Sequence, residues 1–176
     1  MYHYSELGQV NTKLMFQKAY EGGYAIPAFN FVSIEQFNGI MDAVIEKRSP
    51  VILLASPNLH KQLGYEMLAR IVQSGTDRIR NAGLDIPVAL HLDHGSYEGC
   101  YKCIKAGFTS IMFDGSHYPI EENIEKTKEL VKIAHNMGLS LEAEVGSIGG
   151  EEDGVVGLGE CADPNECKAI ADLGID

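Results

Sequence analysis

The segment His91-Leu92-Asp93-His94-Gly95 sets two imidazoles and a carboxylate within a few positions of one another. It closes an apolar run, Ile86-Pro87-Val88-Ala89-Leu90, that reads as a buried strand. Burying such groups at a strand end costs several kcal/mol unless they pair or bind a metal. An imidazole with a carboxylate beside it suits both a divalent cation and proton transfer. The plain alternative is a hydrogen-bonded His/Asp pair that merely ends the strand, since ion-pair networks gather the same residue types. Strand periodicity puts His91 and Asp93 on one face and leaves His94 at the end, where its side chain can turn toward a mouth.

One histidine is one ligand, and a catalytic zinc takes about three from the protein. His3, His60 and His135 fall at the N-terminus or in helical stretches and read as surface or packing residues. His117 follows Asp114-Gly115-Ser116 and suits either a turn or the edge of a site. Asp114 and Glu144 are candidates to supply a ligand oxygen. The segment Gly149-Gly150-Glu151-Glu152-Asp153-Gly154 combines glycine freedom with adjacent carboxylates. It reads either as a solvated acidic loop or as a lid that swings a carboxylate in as a base once substrate is bound. Cys100 and Cys103 have C-x-x-C spacing, but Cys161 and Cys167 do not supply the matching half of a zinc ribbon. Cys100 and Cys103 fall in a helical stretch and read as buried thiols.

The elements that must position these residues alternate. Short apolar runs end in polar residues at Asn30, Ser56, Asp93/His94, Asp114 and Glu144. Helical patterns separate them: one opened by the capping box Ser33-x-x-Gln36, others over 65–82, 97–105 and 119–137. Glu142 and Glu144 share one face of the run 139–145, a glycine-rich acidic loop spans 146–159, and Asp163-Pro164 opens a last helix. Strands apolar on both faces, alternating with helices, indicate an α/β fold with a parallel sheet. Polar residues at every strand end fit a (β/α)8 TIM barrel, whose active site lies at the C-terminal face. A doubly wound sheet would gather them at one switch point. About five βα units are legible, where a barrel needs eight in roughly 250 residues. Residues 1–176 are therefore expected to form the N-terminal part of a single barrel domain, ending before strand 6, with open sheet edges.

The chain has 176 residues and a formal charge of −11. That balance argues against nucleic acid or an anionic membrane surface as the main partner. No apolar run approaches the roughly 20 residues that span a bilayer, and the first residues lack the pattern of a signal peptide. A cytoplasmic protein is the simplest expectation, and a reducing compartment disfavours disulfides.

Taken together, Ala28-Phe29-Asn30, His91-x-Asp93-His94-Gly95, Asp114-Gly115-Ser116, Glu142-Ala143-Glu144-Val145-Gly146 and Gly149–Gly154 resemble the class II, metal-dependent fructose-bisphosphate aldolase family. The resemblance spans essentially the whole chain. It implies reversible cleavage of a ketose 1,6-bisphosphate to dihydroxyacetone phosphate and an aldehyde phosphate. It also implies that His94 is a zinc ligand, with further histidines from later strands. Asp93 matches the acid/base at the C4 hydroxyl, and Glu152 the carboxylate that handles the C–H proton of the dihydroxyacetone phosphate half. Asp114 and Glu144 match positions near the metal that can serve a second divalent or a monovalent cation. Asn30 and Ser56 match positions near the distal phosphate, and His91 is expected to support the site from behind. The alternative aldolase strategy, a Schiff base, needs an interior lysine, and the strand ends here carry none. The resemblance further implies a homo-oligomer at full length. Two readings stay beside fructose-bisphosphate cleavage: a tagatose-bisphosphate aldolase of the same family, and a catalytically inactive metal-binding barrel.

Overall fold

Strands and helices alternate as their apolar spacing demands. The computed structural model describes residue 5 and residues 8–146, 149–152, 155–159 and 161–176. Helix α1 (Lys13–Gly22) precedes β1 (Ala28–Asn30), α2 (Ile34–Lys47), β2 (Val51–Ala55), α3 (Pro57–Leu63), α4 (Tyr65–Asn81) and β3 (Val88–Gly95). There follow α5 (Tyr97–Ala106), β4 (Ser110–Phe113), α6 (Ile120–Asn136), β5 (Ser140–Ala143), β6 (Gly149–Glu152), β7 (Val155–Leu158) and α7 (Pro164–Ala171). Helix starts follow the capping chemistry. The Ser33 hydroxyl accepts from Gln36 N–H at 3.2 Å while the Gln36 side chain accepts from Val32 N–H at 2.8 Å. Ser96 caps α5 by accepting from Gly99 N–H, and Asp163 caps α7 by accepting from Asn165 N–H.

The main sheet is parallel throughout, in the order β1-β2-β3-β4-β5. A doubly wound sheet reverses its strand order at a switch point, whereas a barrel adds each strand beside the last. The consecutive order is that of a partial (β/α)8 barrel of about five units. Leu53, Leu90, Leu92, Ile111 and Phe113 point outward and pack on Met41, Leu68, Cys100, Cys103 and Leu130 of the helices in the main core. Ile52 and Ala89 face the other way and pack on Met15 of α1. The segment leading into α1 crosses the N-terminal strand ends. Val10 N–H donates to Val88 O at 3.0 Å, and Thr12 N–H to Ser140 Oγ at 3.0 Å. Strand β1 is an edge, and Phe29 is 46% exposed. Among the described residues, no helix is long and apolar enough to cross a membrane.

Three elements differ from the sequence expectation. Helix α1 is carried by a sparse apolar face, Met15 and Ala19, too short to stand out as a periodic run. The stretch 65–82 is preceded by a separate helix α3, started by Pro57 and divided from α4 by Gly64 at φ 79°. The acidic loop contains an antiparallel hairpin, β6 with β7, in which Glu151 pairs with Val156. Val155 and Val156 and the intervening Asp153-Gly154 dipeptide are hairpin signals that the carboxylates obscure.

One irregularity interrupts the sheet. Leu92 pairs with Ile111, but Gly95 pairs with Phe113, so β3 carries one extra residue opposite β4. His94 takes up the extra residue with φ +47°, in the left-handed region. The bulge closes tightly: a Cβ on Gly95 would overlap the Leu92 side chain and lie 2.6 Å from the Met112 carbonyl oxygen. Gly95→Ala is accordingly expected to lower the unfolding free energy by about 1–3 kcal/mol, read from the denaturant midpoint.

Candidate metal centre

The bulge decides where His94 points. Its Nδ1 lies 3.1 Å from Asp114 Oδ2 and 3.3 Å from Glu144 Oε2. Asp114 follows the last residue of β4, and Glu144 follows β5 with its N–H donating to Phe113 O at 3.3 Å. The second Asp114 oxygen accepts from Ser116 N–H at 3.1 Å and Ser116 Oγ–H at 2.6 Å, which fixes the carboxylate plane. One donor atom from each of His94, Asp114 and Glu144 lies within 4.8 Å of the others. Tetrahedral ligands at about 2.0–2.2 Å from a cation lie about 3.3–3.6 Å from one another, so the cluster fits a divalent ion once its donor atoms draw together or apart by an ångström or so.

The charge balance agrees. Burial draws the His94 imidazole down, but the Asp114 hydrogen bond and the charges of Asp93, Glu144 and Asp114 outweigh it and raise its pKa. Burial pushes the Asp114 carboxyl up, and the Ser116 and His94 hydrogen bonds outweigh that and hold it below its usual value. The carboxylates that raise the imidazole pKa would equally favour a bound cation.

Asp93 sits beside this cluster. Asn30 Nδ2 reaches its Oδ2 at 3.4 Å, joining the ends of β1 and β3. His91 lies deeper, 5% exposed, with Nδ1 at 2.8 Å from Ser110 Oγ and Nε2 at 3.5 Å from Glu142 Oε2. Burial, reinforced by the nearby His94 charge, pushes its pKa down to about 4. Glu142 does not reverse this. Its carboxyl is beyond hydrogen-bond range and is itself raised, first by burial and then by Asp93. Ser56 opens α3 at the end of β2 without a side-chain cap bond. Glu152 is the last residue of β6, and its side chain is outside the described residues.

His60 stacks on Tyr65, and His135 Nε2 meets Asp176 Oδ2 at 2.7 Å, so both are packing or ion-pair residues. His117 packs on the Tyr118 ring at 4.0 Å, and His3 is outside the described residues. Cys100 and Cys103 are fully buried, and burial pushes the Cys100 thiol up to about 12. Two site-building residues escape the sequence reading. Ser110 is found only through its register opposite His91. Asn123 is a buried polar residue on α6 whose one sequence signal is an amide among apolar spacing.

Residues 10–176 match the family of class II fructose-bisphosphate aldolases. The chain belongs to that family. It is 46% identical over 168 residues to the fructose-bisphosphate aldolase of Streptococcus pyogenes serotype M1, covering 95% of this chain and 56% of that protein. It is 47% identical over 165 residues to that of Mycoplasma genitalium, covering 93% and 56%. The chain thus spans little more than half the length of these relatives. Among solved structures, a Coccidioides immitis protein assigned as a fructose-1,6-bisphosphate aldolase superposes with a TM-score of 0.77 at 33% identity, over 94% of this chain and 58% of that one. The YdjI aldolase of Escherichia coli K12 superposes at 0.72 with 28% identity, over 94% and 61%. The aldolase family of this chain is metal-dependent, in keeping with the His94 cluster.

His91 yields a pH prediction. Its folded pKa is depressed, so between pH 6.5 and about 4 the unfolded chain binds a proton there that the folded chain does not. Unfolding free energy is therefore expected to fall as pH drops through that window, by an order of magnitude of about 3 kcal/mol from this residue. Denaturant titrations from pH 7 to pH 4 check it, and His91→Gln should flatten the decline.

Proposed function

We propose that the protein is a zinc-dependent aldolase that reversibly cleaves fructose 1,6-bisphosphate to dihydroxyacetone phosphate and glyceraldehyde 3-phosphate, in glycolysis and gluconeogenesis. The observation that carries the reading is the convergence of His94, Asp114 and Glu144 beside Asp93 at the C-terminal ends of three adjacent strands. The relatives' names favour fructose over tagatose bisphosphate. The reading includes a homo-oligomeric, cytoplasmic enzyme, and a barrel domain of which these residues are the N-terminal part.

His94 would hold the catalytic zinc, with Asp114 and Glu144 as further oxygen donors or as the seat of a second divalent or monovalent cation. When bound, the ion supplies Lewis-acid stabilisation of negative charge on substrate oxygens. Asp93 takes the proton of the C4 hydroxyl. The C4–O bond becomes a carbonyl as the C3–C4 pair withdraws onto the dihydroxyacetone phosphate half, which leaves as an enediolate. Glu152 then delivers a proton to C3 of that half, and the reverse steps run the condensation. Asn30 fixes the Asp93 carboxylate. It also reaches, with Ser56 at the neighbouring strand end, toward the distal phosphate. Neutral His91 supports Asp93 and His94 from below without adding charge.

The test is fructose 1,6-bisphosphate cleavage by the full-length protein, followed through triose phosphate release. Activity should vanish on exhaustive chelation and return with zinc, and activity that survives chelation contradicts the reading. Asp93→Ala should lower kcat by about 100- to 10,000-fold while zinc stays bound. The ratio of kcat/KM on fructose and tagatose bisphosphates should favour fructose.

A further inference from the structure

We propose that Asn123 is a positioning residue for the cation site, setting the separation of Asp114 and Glu144. The proposal rests on reading His94, Asp114 and Glu144 as the residues that hold the ion.

Asn123 lies in the first turn of α6 and is 2% exposed. Its Nδ2 donates to the Glu144 backbone carbonyl at 2.9 Å. Its Oδ1 accepts from Thr127 Oγ–H at 3.0 Å, one helical turn on, and Thr127 is fully buried. The Glu144 carbonyl, which can only accept, fixes which end of the amide carries the donor, and the Thr127 hydroxyl anchors the other end. The same amide abuts Gly115, the residue after Asp114. A Cβ there would overlap Asn123 Oδ1 and lie 2.9 Å from Nδ2. One rigid planar group therefore touches the backbone beside both carboxylates.

The location explains the need. Strand β5 ends at Ala143, so Glu144 is past the strand's regular pairing. Its N–H still finds Phe113 O on β4, and the Asn123 amide receives its carbonyl. Asp114, on its side, is tied by its N–H to Gly95 O at 3.0 Å, directly after the bulge. The Asn123 amide adds a second backbone tie to Glu144. Asn123 ties that residue to the helix that follows β4, so the spacing of the two carboxylates is set by α6. Residues that orient metal ligands in this way typically change metal affinity by about 10- to 100-fold when removed.

The experiment measures zinc affinity of the full-length protein by competition against a chromophoric chelator, with thermal unfolding in parallel, for wild type, His94→Ala, Asn123→Ala, Thr127→Val and Leu130→Ala. Asn123→Ala should weaken zinc binding by about 10- to 100-fold. Thr127→Val, which frees the amide to rotate, should weaken it several-fold. Leu130, fully buried two turns along the same helix, serves as a stability control. Its truncation should lower Tm but leave zinc affinity within about two-fold. Wild-type affinity in Asn123→Ala overturns the proposal, as does a loss that simply tracks Tm across Asn123→Ala and Leu130→Ala. If Asn123→Ala fails to fold, unchanged affinity in Thr127→Val overturns it. Loss in His94→Ala without loss in Asn123→Ala refutes the positioning role alone. Unchanged affinity in His94→Ala refutes the cation-site reading and the positioning role with it.

Discussion

A single extra residue in β3 governs the site. In a regular strand, Asp93 and His94 would point to opposite faces, one into the barrel and one into the helices. The bulge lets consecutive residues serve one site: His94 turns to Asp114 and Glu144 while Asp93 stays on the face of His91 and meets Asn30. A non-glycine residue in the left-handed region costs about 1–2 kcal/mol. The pairing around it offsets that cost. Asp114 N–H bonds Gly95 O, Gly95 admits no side chain, and Leu92 and Phe113 anchor the flanks in the outer core. Strain of this kind at a bulge accompanies functional sites because it re-aims a side chain that regular pairing would bury elsewhere.

The two faces of the sheet divide the work. Outward residues are large and apolar, and their packing against the helices fixes strand positions. Inward residues change along the strands from apolar to ionisable: Ile52 and Ala89 below with Met15, then His91, Ser110 and Glu142, then Asp93, His94, Asp114 and Glu144. In the middle layer burial pushes the His91 pKa down to about 4 and raises that of the Glu142 carboxyl. At the mouth one imidazole faces several carboxylates, and a divalent cation would complete the balance.

The residues of the proposed site were legible because their types are costly at strand ends. His94, Asp93, Asp114 and Glu144 stand out against apolar runs, and the parallel αβ alternation follows from the same runs. What holds them was not legible. Ser110 and Asn123 act through register and tertiary contact, and nothing local distinguishes them from other polar residues. The bulge is invisible for the same reason: His-Gly at a strand end signals a turn as well as a bulge, and the count of residues opposite β4 emerges only in the folded sheet. The hairpin β6–β7 was masked because its glycines and carboxylates resemble a solvated loop, while the valines that pair with Glu151 and Glu152 lie in the second half.

In the proposed mechanism His94 is the point where a cation meets the sheet. Anomalous diffraction at the zinc edge, from crystals of the full-length protein grown with zinc, tests this most directly. A peak about 2.0–2.1 Å from a ring nitrogen of His94, on the side of Asp114 and Glu144, is the predicted result. A zinc peak elsewhere, with the His94 ring still bonded only to its carboxylate neighbours, would contradict it.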